Sequence, residues 1–163
     1  RAWKRRLLLT SVVIGLGSVL LIAWPRILDR WYDSRDLARG KPWTVSSQSD
    51  AGTCVSPAQR CAESPEFFFH TNREKNPWLQ IDLESVQTIS AATVRNRKGC
   101  CQDRVVPLVL EVSVDQEHWS EVARKDDEFG EWKAEFAPTQ ARWVRLRAEK
   151  TTYLHLRRVR ILP

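Results

Sequence analysis

The sequence predicts an all-β fold, a sandwich of antiparallel strands preceded by one transmembrane helix, and three observations carry that prediction. An uncharged run of 18 residues extends from Leu7 to Trp24. Beyond Pro42, apolar residues alternate with polar ones in short stretches separated by turn residues. No later run has helical period and helical length, which leaves sheets to bury the core.

As a helix rising about 1.5 Å per residue, the first run nearly crosses a hydrocarbon core of about 30 Å. Trp3 and Trp24 stand where interfacial aromatics belong, and Lys4, Arg5 and Arg6 favour a cytoplasmic N-terminus. Arg26, Arg30, Arg35, Arg39 and Lys41 follow the run, so charge alone does not orient it. A cleavable signal peptide is the competing reading, but Ala23-Trp24-Pro25 is bulky where a signal would be cut. We therefore read residues 1–24 as a basic flank and membrane anchor. Residues 25–41 read as a juxtamembrane linker in which Ile27, Leu28, Trp31, Tyr32 and Leu37 have the spacing of a short amphipathic helix, a solvated charged linker being the alternative. Gly40-Lys41-Pro42 then marks the start of the sandwich, residues 42–163.

The net charge of +6 invites a nucleic-acid reading, and its distribution argues against one. Residues 1–39 hold 8 Lys/Arg against 3 Asp/Glu, whereas residues 40–163 hold 18 against 17. The globular part thus lacks the bulk basic footprint of a nucleic-acid binder.

Within it, Leu79, Ile81 and Leu83 point one way with Gln80 and Asp82 opposite; Leu108, Leu110, Val112 and Val114 repeat the pattern. Further strands are expected over 43–47, 88–96, 119–124, 132–136 and 141–148, with Val144 and Leu146 inward and Trp143, Arg145 and Arg147 outward. In the final run, 154–162, Leu154 and Leu156 are out of phase with Val159 and Ile161, which predicts a bulge near Arg157.

The segment Arg97-Lys98-Gly99-Cys100-Cys101-Gln102-Asp103-Arg104 brackets a cysteine pair with two arginines, whose guanidinium forks suit one small polar ligand. All four cysteines, Cys54, Cys61, Cys100 and Cys101, follow the apolar run, which fits an oxidising compartment and a cytoplasmic N-terminus with an extracytoplasmic C-terminal domain. Three pairings are open. We expect Cys54–Cys61 and a vicinal Cys100–Cys101 bridge, against the alternative of a bridge from Cys100 or Cys101 to the 54–61 loop. The spacing does not resemble zinc half-sites.

Asn76-Pro77-Trp78-Leu79-Gln80-Ile81-Asp82-Leu83, Ile89, Val94-Arg95-Asn96-Arg97 and Ala141-Arg142-Trp143-Val144-Arg145-Leu146 together resemble the F5/8 type C (discoidin) domain over about residues 37–163. The resemblance implies a discoidin-like jelly-roll β-sandwich with a ligand site built by loops at one end. Within that superfamily the spacing of His70, Arg97, Cys100-Cys101 and Arg104 is similar to the sugar site of the fucolectin, or F-type lectin, branch. It implies that His70 and the two arginines bind a sugar and that a vicinal Cys100–Cys101 disulfide presents an apolar plate to it. Phe67, Phe68 and Phe69 offer an aromatic wall to an apolar sugar face, with at least one of them expected in the core. Gly99 occupies a position where the fucose-binding pattern commonly has an Asp that braces the arginines, a task that would fall to Asp103.

No cofactor is required by this reading. A structural calcium is conceivable through Glu63 and Glu66, although the stretch ahead of His70 lacks an Asn/Asp-rich turn. No Gly-x-Ser-x-Gly elbow, His-Glu-x-x-His or phosphate loop is present, so the expected function is a non-catalytic, membrane-anchored carbohydrate-binding module. Its partners would be a glycoconjugate and, through residues 7–24, the membrane, with no nucleic acid. The alternative is a discoidin-type adhesion module that contacts protein or lipid without binding sugar.

Overall fold

A computed structural model describes residues 30–49 and 68–163. The chain divides between Arg35 and Asp36. Before the division, residues 30–35 are helical, with the Trp31 and Tyr32 rings edge-on at 5.1 Å and the Arg35 guanidinium 4.6 Å above Trp31. Among the described residues no helix is long and apolar enough to cross a membrane. The expected span, residues 7–24, lies outside them, as does the Cys54–Cys61 pair.

The unit from Asp36 onward is an antiparallel all-β sandwich. Its described strands are β1 (Trp43–Val45), β2 (Phe69–His70), β3 (Glu74–Lys75), β4 (Trp78–Asn96), β5 (Leu108–Ser113), β6 (Ser120–Lys125), β7 (Glu131–Ala148), β8 (Thr151–Thr152) and β9 (His155–Leu162). The main sheet runs β2-β9-β4-β7-β5-β6 with β1 added on β4; β3 and β8 form a separate pair. Every pairing is antiparallel.

The expected strands over 79–83 and 88–96 are one long strand, as are those over 132–136 and 141–148. β4 and β7 pair along almost their whole length, with register shifts between Asp82 and Gln87 and between Ile89 and Ala91. The shifts are a consequence of side-chain period. Leu79, Ile81, Leu83 and Ile89 occupy odd positions of the core, whereas Ala92 and Val94 occupy even ones. An irregularity between them keeps both halves facing inward. The first half of β4 pairs with β1 and the end of β7; the second half pairs with β9 and the start of β7. The core is a single cluster that includes Leu79, Ile81, Val94, Leu108, Leu110, Trp132, Val144, Leu146, Leu156 and Ile161.

The predicted phase slip is present. Arg95 pairs with Arg158 and Asn96 with Leu156, so Arg157 is the extra residue of a bulge. On the outer face of β5, Glu111 is gripped by Arg145 Nε at 2.7 Å and Arg147 Nη2 at 2.8 Å. Burial would raise its carboxyl, but the hydrogen bonds from Arg147 and Arg145 hold it below the usual range. The arginines that alternation placed outward therefore close that face of the sheet.

Residues 36–38, assigned to the linker from sequence, pack on the sandwich. Asp36 Oδ1 accepts from the backbone N–H of Ala38 and of Ile161, both at 3.0 Å, and Leu37 N–H donates to the Ile161 carbonyl at 2.8 Å. Leu37 and Ala38 rest against the core.

Candidate functional site

β2 is only two residues long, and its job is positional. Phe69 turns into the core while His70, next along the strand, pairs with His155 of β9. The His70 Nδ1 lies 2.8 Å from the Thr71 carbonyl oxygen. Because a carbonyl only accepts, Nδ1 carries the hydrogen and donates it. Burial lowers the pKa of His70, and the positive charges of Arg97 and Arg104 lower it further against the Thr71 hydrogen bond. The ring is therefore neutral at pH 7, with Nε2 as its acceptor.

Arg97 follows the last residue of β4, and Arg104 lies in the 3₁₀ turn Gln102–Val105 that leads to β5. Both act electrostatically on His70 and on His155, so the three residues that the sequence singled out converge. The Arg104 guanidinium lies 5.4 Å from the centre of the Tyr153 ring, which is itself 5.4 Å from the His70 ring. His70 and His155 are also 5.4 Å apart, tilted by 34°. His155 is fully buried, and burial, then His70 and Arg97, push its pKa down to about 4. The result is a cationic rim of two guanidinium groups around a neutral imidazole and a phenol ring.

The loop between the arginines is laced by amides. Asn96 Oδ1 accepts from Arg97 N–H at 2.8 Å, and Asn96 Nδ2 donates to the Gln102 carbonyl at 3.0 Å. Gln102 Nε2 returns a bond to the Arg97 carbonyl at 3.0 Å. Lys150 Nζ reaches the Asp103 carbonyl at 2.7 Å. Asp103 forms no ion pair with Arg97 or Arg104, which corrects the expectation that it braces them.

The expected Cys100–Cys101 disulfide is likewise corrected: both residues are free thiols. A vicinal bridge closes a small ring through a strained peptide, and here Cys101 sits at φ 66 in a loop whose ends the amides already tie. The Cys100 thiol, then burial, pushes the Cys101 thiol above its ordinary range and outweighs Arg104 and Arg97.

The aromatic wall is also corrected. Phe69 is 1% exposed in the core, and Phe68 packs edge-on against Phe69 at 4.8 Å and Trp43 at 5.4 Å. The site's aromatic surface is Tyr153, which sequence reasoning passed over, as it did Asn96, Gln102 and His155. A signal existed in Tyr153-Leu154-His155, where two polar rings stand two residues apart at the junction leading into β9. Phe67 and the candidate calcium ligands Glu63 and Glu66 lie outside the described residues. Among the described residues no group of three His, Cys, Asp or Glu side chains could hold a metal ion.

Residues 63–146, just over half of the chain, match the F5/8 type C family described as "NedA-like, galactose-binding domain". Fucolectin-5 of Anguilla japonica is 31% identical over 86 residues, which are 48% of this chain and 46% of that protein. The chain thus matches less than half the length of this curated relative. Among solved structures, the lectin domain of lectinolysin complexed with Lewis B antigen superposes with a TM-score of 0.63 at 26% identity, covering 78% of this chain and 95% of that one. A Streptococcus pneumoniae fucose binding module superposes at 0.63 and 20% identity, covering 78% and 94%. By that match over residues 63–146, on an antiparallel sandwich, the chain belongs to the NedA-like, galactose-binding domain family of F5/8 type C domains.

Proposed function

We propose that this chain is a non-catalytic, lectin-like module that binds a sugar at His70, Arg97 and Arg104, in the manner of the fucolectin branch. The observation that carries the reading is the fixed tautomer of His70 between two guanidinium groups. Its Nε2 accepts a hydrogen bond from a sugar hydroxyl, while the Arg97 and Arg104 forks donate to neighbouring oxygens, so adjacent hydroxyls are read by opposite polarity. Tyr153 offers a ring to an apolar C–H edge, the place that the cysteine plate and Phe68 or Phe69 were expected to fill. The 31% identity to a fucolectin and the 26% identity to a lectin domain complexed with Lewis B antigen support this assignment.

The groups of the site are set for binding: the Cys101 thiol is held protonated rather than activated, and burial together with the positive charge of Arg97 and Arg104 keeps both imidazoles neutral. The reading routes no contact through a metal. Residues 7–24 would anchor the domain on the extracytoplasmic side, where Cys54 and Cys61 would pair.

A glycan array probed with the full chain tests the site. Wild type binds one or more neutral glycans, and Arg97→Ala and Arg104→Ala each lose at least about tenfold in affinity, the worth of one charged hydrogen bond. Arg104→Lys fails to restore binding, because a point charge does not replace the fork. Binding indifferent to both alanine variants would overturn the site and favour a protein- or lipid-contacting module.

A further inference from the structure

Beside the site lies an open recess of about 320 Å³ lined by Arg95, Arg97, Lys98, Gln102, Glu131 and Arg157, among others. Among the described residues, four cationic side chains and one carboxylate line it. That carboxylate is already engaged: Glu131 Oε2 is 2.5 Å from Arg95 Nε, and Oε1 is 3.9 Å from Lys133 Nζ. Neither Lys98 nor Arg157 has a carboxylate within ion-pair distance among the described residues. Residues 40–163 carry almost balanced charge, 18 against 17, so this concentration is local.

The fold builds the concentration deliberately. Arg157 is the extra residue of the β9 bulge, displaced from the ladder between the Asn96–Leu156 and Arg95–Arg158 pairs, and it lines the recess half-buried. Arg95 and Arg97 arrive from the end of β4, and Lys98 from the exposed loop. Arg97 belongs to both places, since it lines the recess and acts on His70 and His155. A concave wall in which cations outnumber the carboxylate focuses a positive field on whatever enters, and guanidinium forks match the paired oxygens of a carboxylate or sulfate ester.

We propose that the natural ligand is an acidic saccharide, with its sugar ring at His70, Arg97 and Arg104 and its carboxylate or sulfate ester in the recess between Arg97, Lys98 and Arg157. This rests on the sugar reading above and adds the charge of the ligand to it.

The test is a set of matched glycans that differ only by a sulfate ester or a uronic carboxylate, titrated onto the full chain. The acidic member binds about tenfold more tightly than its neutral counterpart, the effect of one added charge-assisted contact. Raising salt from about 0.05 to about 0.5 M narrows the gap by screening. Arg157→Gln and Lys98→Gln each reduce the ratio of acidic to neutral affinity, with the fold of both variants checked by circular dichroism. Lys98 is exposed, so its variant remains informative if Arg157→Gln fails to fold. Neutral glycans bound as tightly as acidic ones overturn this inference and leave the sugar reading standing, as does an acidic preference that survives in every folded variant. Failure of every glycan, acidic and neutral, overturns both.

Discussion

Gly99 stands at φ +91 with no atom within 4 Å of the place a Cβ would take, so it is conformation and not space that calls for glycine there. Gly99→Ala is expected to cost about 1 kcal/mol through backbone strain, read as a lowered denaturant midpoint. The two imidazoles make a different prediction. His155 has its pKa pushed down from 6.5 to about 4, chiefly by burial, and His70 moves in the same direction. The unfolded chain takes up these protons as pH falls through 6.5, while folded His70 resists to lower pH and folded His155 until near 4, so the stabilisation is present above 6.5 and is lost as pH falls through that window. His155 alone accounts for a loss of roughly 3 kcal/mol at the bottom of the window, measurable as urea midpoints at about pH 7 and about pH 4.5. A midpoint that does not fall would show that His155 is not buried neutral. His70, Arg97 and Arg104 were legible as a trio because their spacing has a chemical meaning. Tyr153 was not, since it meets His70 and Arg104 only across the fold, and Asn96 was not, since its amide bonds to the backbone of its own loop leave no pattern in the sequence.

At the scale of the element, the loop between Arg97 and Arg104 depends on Asn96, a residue 2% exposed at the end of β4. Asn96→Asp keeps the acceptor for Arg97 N–H and loses the donor to the Gln102 carbonyl, setting a carboxylate against an oxygen. It is expected to cost about 1–3 kcal/mol and to weaken glycan binding; unchanged binding would mean that the loop holds itself. Alternation within single runs revealed the strands, and the out-of-phase apolar residues on either side of Arg157 revealed its bulge. Alternation failed for β4 and β7, each of which was read as two strands. Glu84, Ser85 and Val86 are exposed in mid-strand, and a strand that bends outward there loses the pattern on which the reading relied. β2, β3 and β8, two residues each, are too short to carry any period.

At the scale of the whole molecule, the all-β class followed from the lack of any long helical run after residue 24, and the discoidin-like arrangement from motifs spread over both halves of the sandwich. The packing of residues 36–38 was hidden, because a carboxylate bonded to the backbone of a strand more than a hundred residues later leaves no local trace. β4 and β7 pair with each other along almost their whole length while their two halves take different outer neighbours, and that has a consequence for how the protein comes apart. Neither half can dissolve alone, since each holds part of the ladder the other depends on. Unfolding should therefore be one cooperative event, with tryptophan fluorescence and far-ultraviolet dichroism reporting coincident midpoints; separated midpoints would mean that the two halves of each long strand melt as independent hinged segments.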